Sequence, residues 1–260
     1  MNIFVFVKRV PDTESKIRVD QAHKKIVEEG LNFILNPYDE FALEEALRLR
    51  EAKGGKVTAF CVGPEACLTV LRKCLAMGVD EAVLLKDASP ESYDGLRTAR
   101  ILAKALQTKY TGADLLLFGK QAMGADNSQV PAMTAELLGL PQANVVVKLQ
   151  VEGNRGTAIR EVEGAEEKVE FSLPAVVSAQ KGLNEPRYET LKGIMAAKKV
   201  HIAVLPVEEL GLEAGELGVG LEVTAMDLPP ARQAGRVLAG TAEEAARELV
   251  HLLRSEAKVI

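Results

Sequence analysis

The chain has 260 residues, 47% of them hydrophobic, which one α/β domain with appendages accounts for better than two full domains. A formal net charge of −5, aromatics at 4% and no tryptophan argue against a general nucleic-acid binder and against an aromatic stacking platform. No stretch approaches the roughly 20 apolar residues of a membrane span, and Asn2-Ile3-Phe4-Val5-Phe6-Val7 follows no charged leader, so a cytoplasmic protein without signal or transit peptide is expected.

Residues 2–7 read as a buried strand, and residues 15–35 as irregular chain with a short hairpin around Arg18-Val19-Asp20 and Lys25-Ile26-Val27. Asn36-Pro37-Tyr38-Asp39 predicts a helix start. Asn36 can accept from the free amides, Pro37 presets φ, and Asp39 sits in the positive first turn. Leu43, Ala46 and Leu47 form that helix's apolar stripe, with Glu44, Glu45, Arg48 and Arg50 expected in water and Gly54-Gly55 as its end. A strand at 57–62 turns at Gly63-Pro64 into a helix carrying Leu68, Leu71, Leu75 and Met77, closed by Gly78. Residues 82–85 read as a strand, 94–110 as a helix, 114–118 as a strand and 129–138 as a helix. Near-continuous apolar strands between amphipathic helices predict an α/β fold, a doubly wound, mostly parallel sheet with helices on both faces.

After Pro141 the period changes to two. Residues 145–151, 156–162 and 168–171 predict an added antiparallel meander that ends in residues 173–178. Residues 202–240 lack a clear period and read as an arm that packs elsewhere. Thr241-Ala242-Glu243-Glu244 is a capping box for a last helix with Ala245, Leu249 and Leu252 facing inward. The expected division is a nucleotide-binding α/β domain at 1–200 and a C-terminal extension at 201–260. Cys61, Cys67 and Cys74 match no common zinc or redox spacing and read as buried thiols. His23, His201 and His251 are scattered, none beside a nucleophile, so no catalytic residue and no metal site is expected.

Two segments stand out. In an open parallel sheet, ligands collect at the carboxyl ends of the strands. Residues 119–130 leave a hydrophobic strand through small and polar residues and enter a helix N-terminus suited to phosphate, without a Walker or G-x-G-x-x-G pattern. Nucleotide binding and a long polar loop capped by Asp126 or Asn127 both fit. Residues 183–191 mix charges with Leu183, Tyr188 and Leu191 without any period. They fit either an exposed recognition loop or a loop whose Leu191 packs on its own domain.

Val7-Lys8-Arg9-Val10-Pro11-Asp12, Asn36-Pro37-Tyr38-Asp39-Glu40, Gly119-Lys120-Gln121-Ala122 with Asp126-Asn127-Ser128-Gln129, and Leu183-Asn184-Glu185-Pro186-Arg187-Tyr188 with Ile194-Met195 occur in order along the chain. Together they resemble electron-transfer flavoprotein β subunits. The resemblance implies an electron carrier rather than an enzyme. It would pair with an α subunit that holds most of the FAD, and this chain would bury one AMP as a structural nucleotide. AMP would meet Phe6 (through its backbone), Asn36, Pro37, Tyr38, Asp39, Val62 and Gly63. In the loop it would meet Gly119, Lys120, Gln121, Ala122, Met123, Asp126, Asn127, Ser128, Gln129 and Val130. Leu183, Asn184, Glu185, Pro186, Arg187, Tyr188, Thr190 and Leu191 would recognise partner dehydrogenases, with Leu191 as anchor. Glu161 would influence flavin access or domain orientation, and residues 227–230 would reach the α subunit. Donors would be acyl-CoA or other dehydrogenases, as in fatty acid oxidation, and the acceptor an electron-transfer flavoprotein-quinone oxidoreductase. A related bifurcating branch oxidises NADH with a second FAD in place of AMP. Asn127-Ser128-Gln129 resembles the AMP-holding branch more closely.

Overall fold

Strands that are apolar on both faces need helices on both sides, and the first half of the chain alternates accordingly. The computed structural model describes residues 1–87, 94–213, 215–218, 220–231 and 234–260. They fall into two compact units, Met1–Met226 and Asp227–Ile260. The first unit opens with β1 (Asn2–Phe6), the short β2 (Arg9–Pro11), β3 (Val19–Asp20), β4 (Lys25–Ile26) and β5 (Phe33–Leu35), then α1 (Pro37–Lys53). It continues with β6 (Lys56–Gly63), α2 (Leu68–Met77), β7 (Glu81–Lys86), α3 (Gly95–Thr108), β8 (Leu115–Gly119) and α4 (Val130–Leu138). β9 (Gln142–Glu152), β10 (Arg155–Val162), β11 (Ala165–Ser172), β12 (Ala175–Ala179), α5 (Leu191–Ala197) and β13 (Ala203–Pro206) complete it. The second unit carries α6 (Ala242–Leu252).

Nine strands form one sheet in the order β11-β10-β9-β12-β8-β1-β6-β7-β13. From β9 to β13 in that order every neighbouring pair is parallel, and the β9–β10 and β10–β11 pairs are antiparallel. Alternate residues of β1 face opposite sides. Ile3 and Val5 join Leu43, Leu47 and Leu71 of α1 and α2, while Phe4 and Phe6 join Ile101 and Leu102 of α3. Cys61, Cys67 and Cys74 are free and buried, as expected. Among the described residues no cluster of three His, Cys, Asp or Glu could hold a metal, and no helix is long and apolar enough to cross a membrane.

The chain steps from β1 through β6 to β7, then returns across β1 to place β8 on its other side. Strand order therefore reverses between β1 and β8, where the carboxyl ends of two parallel strands diverge into a crevice.

Three expectations change. β12 does not close the antiparallel meander: all five of its residues are buried, and it inserts in parallel between β8 and β9. Residues just past 200 are not free arm. β13 pairs with β7, Val207 and Leu210 are buried, and the first unit runs on to Met226. In α6 the capping box forms as predicted, yet no residue of the helix is buried and Leu249 stands exposed.

Candidate functional site

The crevice is stapled by two side chains at the start of α1. Asp39 is buried there, and its carboxylate accepts from the Lys8 amide at 2.7 Å, the Asn36 Nδ2 at 2.8 Å and the Gly119 amide at 3.2 Å. One residue thus ties the end of β1 to the end of β8. Burial pushes its carboxyl up to about 7, a rise restrained by the three donors and the nearby Lys8 charge. Asn36 was expected to cap α1, but its side chain makes no cap bond. The Met123 amide takes its Oδ1 at 3.0 Å, and its Nδ2 also donates to the Gln121 carbonyl at 2.8 Å. Pro37 supplies no amide of its own, so α1 has less need of the cap. Only glycine fits at 119, since a Cβ would lie 2.2 Å from Asp39 Oδ1 and 2.6 Å from the Tyr38 carbonyl carbon.

Beyond Gly119 the loop is turned by positive φ at Gly124 (86°), Asp126 (50°) and Ser128 (51°). Gln121 Nε2 donates to Asp126 Oδ1 at 2.6 Å, and Ser128 Oγ donates to Gln121 Oε1 at 2.9 Å. Asp126, Asn127, Ser128 and Gln129 are exposed, and Ala122 and Met123 are half-buried. α4 begins at Val130, and Gln129 in the cap position makes no side-chain cap bond, so the first amides of this helix, apart from Pro131 which has none, are not capped by it. Lys120 holds its ammonium 5.9 Å from the centre of the half-buried Tyr38 ring. Val62 and Gly63 end β6 at the same edge of the sheet, where the Gly63 carbonyl accepts from the Asp87 amide at 3.1 Å. The Phe6 ring is in the core, stacked 4.3 Å from Phe118, so Phe6 offers the crevice only its backbone.

The second segment lies against α1. Glu44 and Glu45, expected in water, are buried beneath it. Arg187 bridges Glu44 and Glu51, and Asn184 Nδ2 donates to Glu45 Oε2 and to the Phe41 carbonyl, both at 3.0 Å. Burial lifts the Glu44 carboxyl, but the Arg187 bonds outweigh it and leave the group below the usual carboxylate range. Arg187 likewise lowers Glu51, while burial raises Glu45 against its Asn184 bond. Leu183 packs on the core, Pro186 is half-buried and Glu185 is exposed. Thr190 caps α5 by accepting from the Gly193 amide at 3.0 Å, so Leu191 is the first residue of a helix rather than part of the loop. Tyr188 is 93% and Leu191 78% exposed. Gly193 lets α5 press on α2, where a Cβ would lie 2.2 Å from the Ala76 carbonyl oxygen. A cleft of about 370 Å³ between the end of α2 and this segment is lined by Leu75, Met77, Tyr188 and Lys192 among others.

Glu161 stands apart from both groups. It is exposed on β10 opposite Glu166, and β9 and β12 separate its strand from β8. The acidic residues of α1 that hold the second segment were not legible as such. Their spacing carried a signal, since Glu44 and Glu51 lie seven residues apart and therefore share one helix face.

Residues 24–210 match the electron transfer flavoprotein domain. A Bacillus subtilis protein named electron transfer flavoprotein subunit beta is 42% identical over 261 residues, spanning all of both chains. Proteins of that name from Thermoanaerobacterium thermosaccharolyticum (39% over 260 residues, 98% of each chain) and Mus musculus (40% over 242 residues, 90% of this chain and 91% of the relative) agree with it. The chain belongs to the electron transfer flavoprotein β-subunit family. Its general role is therefore electron transfer within a flavoprotein, and a β subunit implies an α subunit as its other half. Both the crevice loop at 119–130 and the segment at 183–191 fall inside the matched domain.

Proposed function

We propose that this β subunit holds AMP in the crevice between β1 and β8, helps complete the FAD site of an α subunit, and docks flavin dehydrogenases through residues 183–191. The observation that carries the nucleotide reading is the stapled crevice itself. Asp39 and Asn36 fix the loop after β8 so that it leads into α4, whose cap side chain leaves the first amides untouched. A phosphate suits that position, since helix amides and backbone turned by alternating positive φ both favour an anion. Gly119 supports this reading indirectly, since its missing side chain is what lets Asp39 and the start of α1 close on the end of β8.

FAD, held mainly by the α subunit, supplies the electron relay. This chain's residues bind and orient. The docking reading is supported by Tyr188 and Leu191, apolar side chains displayed on an otherwise anchored segment. Acyl-CoA or other dehydrogenases are the proposed donors and an electron-transfer flavoprotein-quinone oxidoreductase the proposed acceptor, with the cytoplasm as the setting. Glu161, on the outer hairpin, is proposed to influence flavin access or domain orientation.

The test is reduction of the purified heterodimer's flavin by an acyl-CoA dehydrogenase and its substrate, followed by absorbance. Bleaching that requires both subunits and falls at least tenfold in Leu191→Ala supports the reading, because a hot-spot side chain contributes roughly 2 kcal/mol or more. Reduction by NADH alone would instead favour the bifurcating reading.

A further inference from the structure

An exposed anchor gives full affinity only when its backbone is already placed, because ordering it on binding weakens the complex. Residues 184–190 have neither helix nor strand, so no backbone ladder holds them. Side chains do. The Arg187 guanidinium lies between two carboxylates of α1. Its Nε and Nη2 donate to Glu44 Oε2 and Oε1 at 2.8 and 3.1 Å, and its Nη1 and Nη2 donate to Glu51 Oε1 and Oε2 at 2.5 and 3.1 Å. The Arg187 amide adds a bond to Glu44 Oε2 at 3.1 Å. A planar fork that satisfies two carboxylates at once is a geometry that lysine does not reproduce. Both carboxylates sit on one 17-residue helix, so the platform is rigid. Tyr188 follows Arg187 directly, and Leu191 is four residues on, both exposed. The Arg187 charge is matched within its own chain, so the residue is poorly suited to pairing with a carboxylate elsewhere.

We propose that Arg187 is a positioning residue: its double ion pair with Glu44 and Glu51 pre-organises residues 183–191 on α1 and so sets how tightly a dehydrogenase docks on Tyr188 and Leu191, without Arg187 touching that partner. The inference rests on the docking reading above and goes beyond it by separating the residues that touch from the residue that places them.

The experiment uses the heterodimer as electron acceptor for an acyl-CoA dehydrogenase reduced by its substrate, with KM for the heterodimer, kcat and amide exchange at 184–190 as readouts. Arg187→Lys is expected to raise KM about tenfold with kcat within roughly twofold, and to speed exchange across 184–190. Glu51→Gln, which alters only the exposed side of the clamp, should move KM and exchange together by a smaller factor. Leu191→Ala should raise KM and leave exchange unchanged. Faster exchange in Arg187→Lys with an unchanged KM would overturn the inference. So would a raised KM with unchanged exchange, since Arg187 would then be acting on the partner directly. If Arg187→Lys does not fold, Glu51→Gln decides, and an unmoved KM there overturns the clamp. An unchanged KM in Leu191→Ala would remove the docking reading and this inference with it, whereas the other contrary outcomes remove the inference alone.

Discussion

Helix α3 begins on Asp94, which accepts from the Leu96 amide at 2.8 Å, and runs as an apolar stripe under which Ile101, Leu102, Ala105 and Leu106 are buried. Helix α6 begins on an equally well-formed cap, with Thr241 and Glu244 bonded reciprocally, and also carries an apolar stripe, yet none of its residues is buried. Leu249 and Val250 are exposed, as are Val237, Val259 and Ile260 elsewhere in the second unit. Caps and periodicity are enough to define a helix, but most helical stability comes from a surface for its apolar face to cover. α3 has that surface in its own unit. α6 does not, and its exposed Leu249 and Val250 are free for a partner to cover. We propose that the α subunit covers them.

The comparison breaks most visibly at α6. Leu249→Asp combined with Val250→Asp is expected to abolish co-purification with the α subunit while the isolated chain melts as before. A pair that survives intact would return α6 to a bystander. In α3 the reverse holds. Ile101→Ala, at a fully buried position, should cost about 2–5 kcal/mol of stability by denaturant titration. A loss below about 1 kcal/mol would mean that the two helices differ less than their burial suggests.

A third prediction concerns a burden that only the packed unit can carry, a buried carboxyl. Asp39 ionises near 3.8 unfolded and at about 7 folded, so between those values the folded state holds a proton that the unfolded state has released. The stability tied to it is fully present below 3.8, declines as pH rises, and is gone above about 7, a change on the order of a few kcal/mol. Glu44 and Glu51 are lowered, so their contributions fall away only on the acid side and leave the range from pH 5 to 7 to Asp39 and, in the same direction, Glu45. Relative to Asp39→Asn, the native chain should lose stability across that range, and equal slopes would contradict the assignment. The smallest effect belongs to the cap of α6. Thr241→Ala removes about 1 kcal/mol from that helix. Because nothing in α6 is buried, the isolated chain's melting temperature should barely move, while affinity for the α subunit drops.

Much of the fold was legible because its signals are local. Apolar runs at 2–7, 57–62 and 114–118 became β1, β6 and β8 within a residue or two, and Gly78 ended α2 in a left-handed turn. What was not legible depended on pairing across the chain. Residues 175–179 read the same whether they close a meander or enter a parallel sheet, and only the open edge of β8 decides. The four residues of β13 are too few to show a period and gain their identity from β7. At the site, Asn36 has the chemistry of a helix cap and was read as one, but its acceptor is used by Met123, 87 residues away. Glu44 and Glu45 have the chemistry of solvent-facing residues. Their burial follows from Arg187 and Asn184, which approach α1 from more than a hundred residues downstream. Chemistry that a loop borrows from a distant helix leaves no local pattern in either.

The most direct test of the whole account is the nucleotide content of the purified heterodimer, released by acid and quantified by chromatography and mass spectrometry. One FAD and one AMP per pair is the predicted result. Two FAD per pair, or one FAD with no AMP, would contradict the assignment of the β1–β8 crevice to AMP.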